Sequence, residues 1–130
     1  MTTVTVTDES STGAVTGALT LDFLTERVSA RELIRARVYQ EVSEFNARTP
    51  SLFRGLVRPR DAEQTRDGFR LKAPHAIDWE EQFAHALTAF QTNGFILLVN
   101  DRQVEDLDQV IELRHDTSVS FLKLTPLVGG

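Results

Sequence analysis

Residues 96–130 read ILLVNDRQVEDLDQVIELRHDTSVSFLKLTPLVGG. With Phe95 they open on the apolar run Phe95-Ile96-Leu97-Leu98-Val99, which is the length of a strand and far short of the ~20 residues needed to span a bilayer. Asn100-Asp101 follows. Short polar side chains of this kind tolerate the left-handed backbone of a two-residue turn, so Arg102-Gln103-Val104 is expected to lead back antiparallel. An acidic turn region, Glu105 to Glu112, separates this hairpin from a last strand, Val119 to Leu124. There Val119 and Phe121 alternate with Ser120 and Leu122, which places the first pair toward a core and leaves Ser120, Leu122 and Leu124 on the outer face.

Working outward, the N-terminal segment supplies more strand signal. Thr3-Val4-Thr5-Val6-Thr7 and Ala18-Leu19-Thr20-Leu21-Asp22-Phe23 alternate apolar with β-branched or polar residues, as half-buried strands do. The turn-rich stretch Asp8 to Gly13 between them is long enough to let the two pair antiparallel, with residues 1–3 open to fraying. A helix start comes next. Ser29 as N-cap and Glu32 three positions on form a capping box, and Val28 and Leu33 occupy the staple positions. Ile34, Val38, Val42 and Phe45 then recur at helical spacing, with Arg35, Arg37, Glu41 and Glu44 expected on other faces, and the helix must end before Pro50.

From Thr49 to Ile77 the periodicity dissolves among Pro50, Gly55, Pro59, Gly68 and Pro74. Leu52, Phe53, Leu56, Val57, Phe69 and Leu71 nevertheless point to a packed excursion rather than a free linker. A second helix opens at Asp78 and carries Trp79, Phe83, Leu87 and Phe90 on the stripe expected to be buried, until Asn93-Gly94 stops it. Two strands, a helix, an excursion with its own helix and a returning set of strands predict a single α+β domain over residues 1–130, with the helices on one face of the sheet.

Composition narrows the function classes. The 130 residues contain no cysteine, which excludes disulfides, zinc–thiolate sites and cysteine nucleophiles. Nineteen acidic residues against 14 basic ones leave a formal charge of −5, which argues against a nucleic-acid partner. The opening MTTVTVTDESS lacks the basic and apolar stretches of a secretory signal, and no apolar run reaches membrane length, so a cytoplasmic protein without a membrane segment is the expectation. Twelve of the basic residues are Arg and two are Lys, Lys72 and Lys123. That ratio reflects either arginine-favouring codon usage or a chain that offers few amines.

The tail carries the functional signal. Terminal glycines bury nothing and cost backbone entropy, but a backbone without Cβ atoms threads a narrow channel. Val99-Asn100, Val104, Val119, Phe121, Pro126, Val128, Gly129 and Gly130 follow a recognisable order: a strand with a "VN" hairpin, a short strand, a loop, a last "V-x-F" strand and a tail ending Gly-Gly. On these residues the segment resembles the C-terminal half of ubiquitin-like β-grasp proteins, and is similar to the small subunit of molybdopterin synthase and related sulfur carriers. Val4 to Asn46 fits the other half. The resemblance implies a mixed sheet with a helix across one face, interrupted by an insertion over 47–93 that contains the second helix, and a flexible tail over 125–130. Two additional residues between Phe121 and the glycines, and the insertion itself, turn the expectation from a standard sulfur carrier toward a specialised modifier of bacterial conjugation systems.

The resemblance further implies that an adenylating enzyme of the ubiquitin-activating type, using ATP and Mg, joins the carboxylate of the Gly129-Gly130 end to AMP. A nucleophile then takes the acyl group. A thiol or hydroxyl enzyme and finally a lysine give a modified protein target, with a conjugating enzyme and a peptidase as further partners; a sulfide donor gives a thiocarboxylate sulfur carrier. A β-grasp binding module that is never conjugated is the third reading. On this view the chain has no catalytic residue and binds no cofactor or metal of its own, and Leu122, Leu124, Pro126, Leu127 and Val128 form an apolar strip for the partner. The alternative is that the inserted helix covers Leu122 and Leu124.

Other residues have plainer readings. His75, His85 and His115 lack ligand spacing and read as surface side chains. Glu80-Glu81 suits a helix start. Arg54, Arg58 and Arg60 read as a solvated loop, and Glu105, Asp106 and Asp108 as a solvent-facing run.

Overall fold

The computed structural model describes residues 2–73 and 75–124. In chain order its elements are β1 (Thr2–Glu9), β2 (Val15–Phe23), β3 (Arg27–Ser29), α1 (Ala30–Arg48), β4 (Leu52–Phe53), β5 (Ala62–Thr65), β6 (Gly68–Leu71), α2 (Trp79–Gln91), β7 (Phe95–Val99), β8 (Arg102–Val104), β9 (Val110–Glu112) and β10 (Val119–Lys123). The architecture is α+β. Its main sheet has five strands in the order β2-β1-β10-β7-β8. The first and last strands of the described residues are neighbours there and run parallel, with Val6 opposite Val119, while every other pairing in that sheet is antiparallel.

Contacts gather into two compact units, Met1–Leu33 with Ala89–Gly130, and Ile34–Thr88. In the first, the alternation read in β1 and β2 translates into burial of Val4, Val6, Leu21 and Phe23. Residues 2 and 3 are strand rather than frayed chain. Thr2 pairs with Phe23 and Thr3 with Asp22, and the Thr3 hydroxyl donates to Asp22 Oδ1 at 2.6 Å. The β7–β8 turn has left-handed backbone at both Asn100 (φ 51°) and Asp101 (φ 64°), the geometry that matches strand twist in a tight hairpin. Phe95 sits 5.8 Å from Phe121 and 6.1 Å from Phe90 between ring centroids, an aromatic column inside this unit.

The region 105–112 is not wholly a turn. Its last three residues form β9, which pairs antiparallel with β3 and sets Val28 opposite the buried Ile111. This small ladder leads into α1. The capping box closes reciprocally, with Glu32 N–H donating to Ser29 Oγ at 3.1 Å and Ser29 N–H to Glu32 Oε1 at 3.3 Å. The next two orphan amides, Ala30 and Arg31, donate to the carbonyls of Gln109 and Leu107, both at 2.9 Å.

In the second unit the excursion folds as a three-stranded antiparallel sheet, β4-β6-β5. Strands of two and four residues, joined at Arg66-Asp67, are too short to show a period in sequence. Asn46 ties the end of α1 to the approach of α2: its Nδ2 donates to Ile77 O and its Oδ1 accepts from Ile77 N–H, both at 2.8 Å. Two expectations change here. Arg37 does not face solvent but is buried, with Nε 3.1 Å from Glu41 Oε2. On α2 the buried stripe runs through Gln82, Ala86 and Phe90, leaving Trp79, Phe83 and Leu87 half-buried on its flank. Gln82 accepts that position because its Nε2 donates to Val57 O at 3.0 Å.

Candidate functional site: an apolar patch on the sheet

Leu122 and Leu124, expected as docking residues, belong to the end of β10 and the residue after it. Leu122 is half-buried and Leu124 is exposed. Pro126, Leu127, Val128, Gly129 and Gly130 lie outside the described residues. Register extends the strip in a direction the sequence reading missed. Leu122 stands opposite Ile96 and Ser120 opposite Leu98, and in-register neighbours share a face, so Ile96, Leu98 and Leu122 form one apolar patch on the face away from Phe95, Leu97 and Phe121. All three are half-buried, whereas the opposite-facing trio is fully enclosed.

The signal for Ile96 and Leu98 was present in the unbroken run from Phe95 to Val99. A half-exposed antiparallel strand ordinarily alternates with polar residues, so apolar side chains on both faces give this strand an apolar outer surface as well as a buried inner one. The patch has a polar rim. Glu9 stands beside Leu122 in the register of β1, and Gln103 beside Leu98 in that of β8. Ser120 shares the outward side but is buried, its Oγ 3.1 Å from Thr7 Oγ1. Small hydroxyls there lower the centre of the sheet between the larger side chains. At the end of β10, Lys123 Nζ lies 3.5 Å from Asp8 Oδ2, which anchors the last turnout of the strand to β1.

A concavity in the same unit, about 370 Å³, is lined by Asn100, Arg102, Gln109, Glu112, Arg114 and Thr117 among others. Arg114 donates to Glu112 Oε2 at 2.9 Å and Arg27 to Oε1 at 3.2 Å. The Arg114 hydrogen bond, followed by the charges of Arg114 and Arg27, holds the Glu112 carboxyl below the usual carboxylate range. These are exposed pairs that hold the surface in place with little effect on stability.

His75, His85 and His115 are exposed, on separate segments. Among the described residues no group of three or more His, Asp or Glu side chains is placed to hold a metal ion, and no helix is long and apolar enough to cross a membrane. Arg60 Nη2 lies 2.8 Å from Glu81 Oε1, so Glu81 serves an ion pair as well as the helix start, and the exposed Asp108 pairs with Arg31 at 3.4 Å. What the patch can do chemically is bind another apolar surface. No protein-family model, curated protein or solved structure matches the chain.

Proposed function

We propose that this chain is a ubiquitin-like β-grasp protein whose Gly129-Gly130 carboxylate is activated and transferred to a protein target. The observation that carries the reading is the position of β10. It is the middle strand of a mixed sheet, parallel to β1, it bears the patch residue Leu122, and in sequence it leads directly into Pro126 to Gly130. A partner seated on Ile96, Leu98, Leu122 and Leu124 is thereby seated beside the strand that feeds the tail. In the activation step the glycyl carboxylate attacks the α-phosphorus of ATP in the partner enzyme, forming an acyl adenylate and releasing pyrophosphate. An enzyme nucleophile and then a target amine attack the acyl carbon, AMP leaving at the first of these transfers. This chain contributes the acyl group and the docking surface, and the enzyme supplies ATP, Mg and the nucleophile.

The test is mass spectrometry on the N-terminally tagged full chain expressed in its native host. Trypsin cleaves after Lys123, so conjugation leaves Leu124 to Gly130 as an isopeptide remnant on target lysines. Remnant-bearing peptides that vanish on deletion of Gly129-Gly130, and fall about tenfold in Leu98→Asp and Leu124→Asp variants with unchanged circular dichroism, are the expected result. A chain carrying sulfur in place of one carboxylate oxygen would replace the modifier reading with the sulfur carrier. Neither product would leave a binding module.

A further inference from the structure

The two outer edges of the main sheet are built differently. At one, β8 is three residues long and carries Arg102. That is a protected edge, too short and too charged to template another strand. At the other, β2 presents nine residues, Val15–Phe23, with no Lys, Arg or Pro and a single charge, Asp22. Among the described residues no strand pairs with its outer side. Two of the large exposed apolar side chains stand at its two ends, Val15 at 64% exposure and Leu24, one residue past Phe23, at 89%.

We infer that β2 pairs with β2 of a second copy of this chain, antiparallel about a two-fold axis perpendicular to the sheet. Four properties of the strand favour its own copy over a foreign peptide. An edge strand's alternating N–H and C=O groups are their own complement when the strand is turned end for end. With the axis at Leu19, Ala18 falls opposite Thr20 of the second copy, and Asp22 falls opposite Thr16, so the one charge on the strand meets an uncharged residue and stays remote from the like charge. Gly17 falls opposite Leu21, giving the larger side chain room. The bulge that shifts the β1–β2 register between Asp8 and Glu9 leaves Thr16 without a register partner on β1, its hydroxyl donating to Asp8 O at 3.4 Å. Beyond it, Val15 of each copy meets the Phe23-Leu24 end of the other. Both exposed apolar ends are covered by one symmetric operation, and the edge that invites aggregation is closed.

The experiment is sedimentation equilibrium on the full chain and three variants. Ala18 and Thr20 are exposed, so A18K/T20K and A18E/T20E leave the β1 pairing and core of the monomer intact. Wild type is expected to sediment at twice the chain mass as concentration rises, each double variant to dimerise at least about tenfold more weakly through like charges opposed across the axis, and their equimolar mixture to recover the dimer. Hydrogen exchange should show added protection in alternate β2 amides in the wild-type dimer and in the mixture only. A wild type still monomeric at about 1 mM overturns the proposal, as does dimerisation unaffected by both variants, or a mixture that fails to recover it. An Ala18→Ser/Thr20→Ser control that weakens the dimer as much as the charged pair also overturns it.

Discussion

Arg37 and Glu41 show where residue-level reading of this chain reaches its limit. Their i, i+4 spacing on α1 looks like an exposed helix pair, yet the side chains are 3% and 10% exposed. Glu41 also accepts the Leu56 amide at 3.0 Å, and a side chain at Gly55 would press on Glu41 and the Phe53 ring. The pair therefore orders the 53–56 turn, a role invisible in sequence because the partner amide is 15 residues away. Removing one partner strands the other in a low-dielectric site, so Arg37→Met should cost about 3–5 kcal/mol in urea denaturation. Adding Glu41→Gln removes the stranded charge while keeping an oxygen for Leu56 N–H, and should restore more than half of that loss. A single-variant cost under about 1 kcal/mol would mean the pair is solvated. Leu122 was legible in the last strand's alternation, and the unbroken run Phe95 to Val99 already marked Ile96 and Leu98 as apolar on the outer face, but their place beside Leu122 comes from register, which no local pattern contains.

At the scale of elements, those that can be read are the ones specified within a few residues of themselves. The capping box of α1 needs only Ser29 and Glu32, and the β7–β8 hairpin only a dipeptide that accepts positive φ. Strands β9 and β3, three residues each, exist because Val110–Glu112 and Arg27–Ser29 find each other across the chain, and neither has a period of its own. The capping box is a clean test, because Ser29 Oγ is the acceptor for Glu32 N–H while Ala30 and Arg31 are satisfied by backbone carbonyls. Ser29→Ala should lower stability by about 1 kcal/mol without changing the denaturant slope, and Ser29→Thr should recover most of it. A loss of several kcal/mol would instead assign the hydroxyl a role in the β3–β9 ladder.

The whole sheet depends on a pairing between its two strands most distant in sequence, β1 and β10. Thr7 and Ser120, in contact through their hydroxyls, are 113 residues apart in sequence, and β1 and β10 carry the hairpins β1–β2 and β7–β8 into one sheet. Each hairpin is local and readable. Their union is not, because parallel pairing at this separation is decided by which buried residues fit once both halves are formed, at the cost of closing nearly the whole chain. Val6 and Val119, register partners each 1% exposed, sit at that union. Val6→Ala and Val119→Ala should each cost about 2 kcal/mol from lost burial and the space left behind. Because each valine packs in the other's surroundings, the double variant should depart from the sum by about 0.5 kcal/mol or more, read from urea midpoints at constant slope. Strict additivity would mean the two side chains are not neighbours. The parallel seam would then be wrong, and with it the central position of β10 that links the patch to the tail.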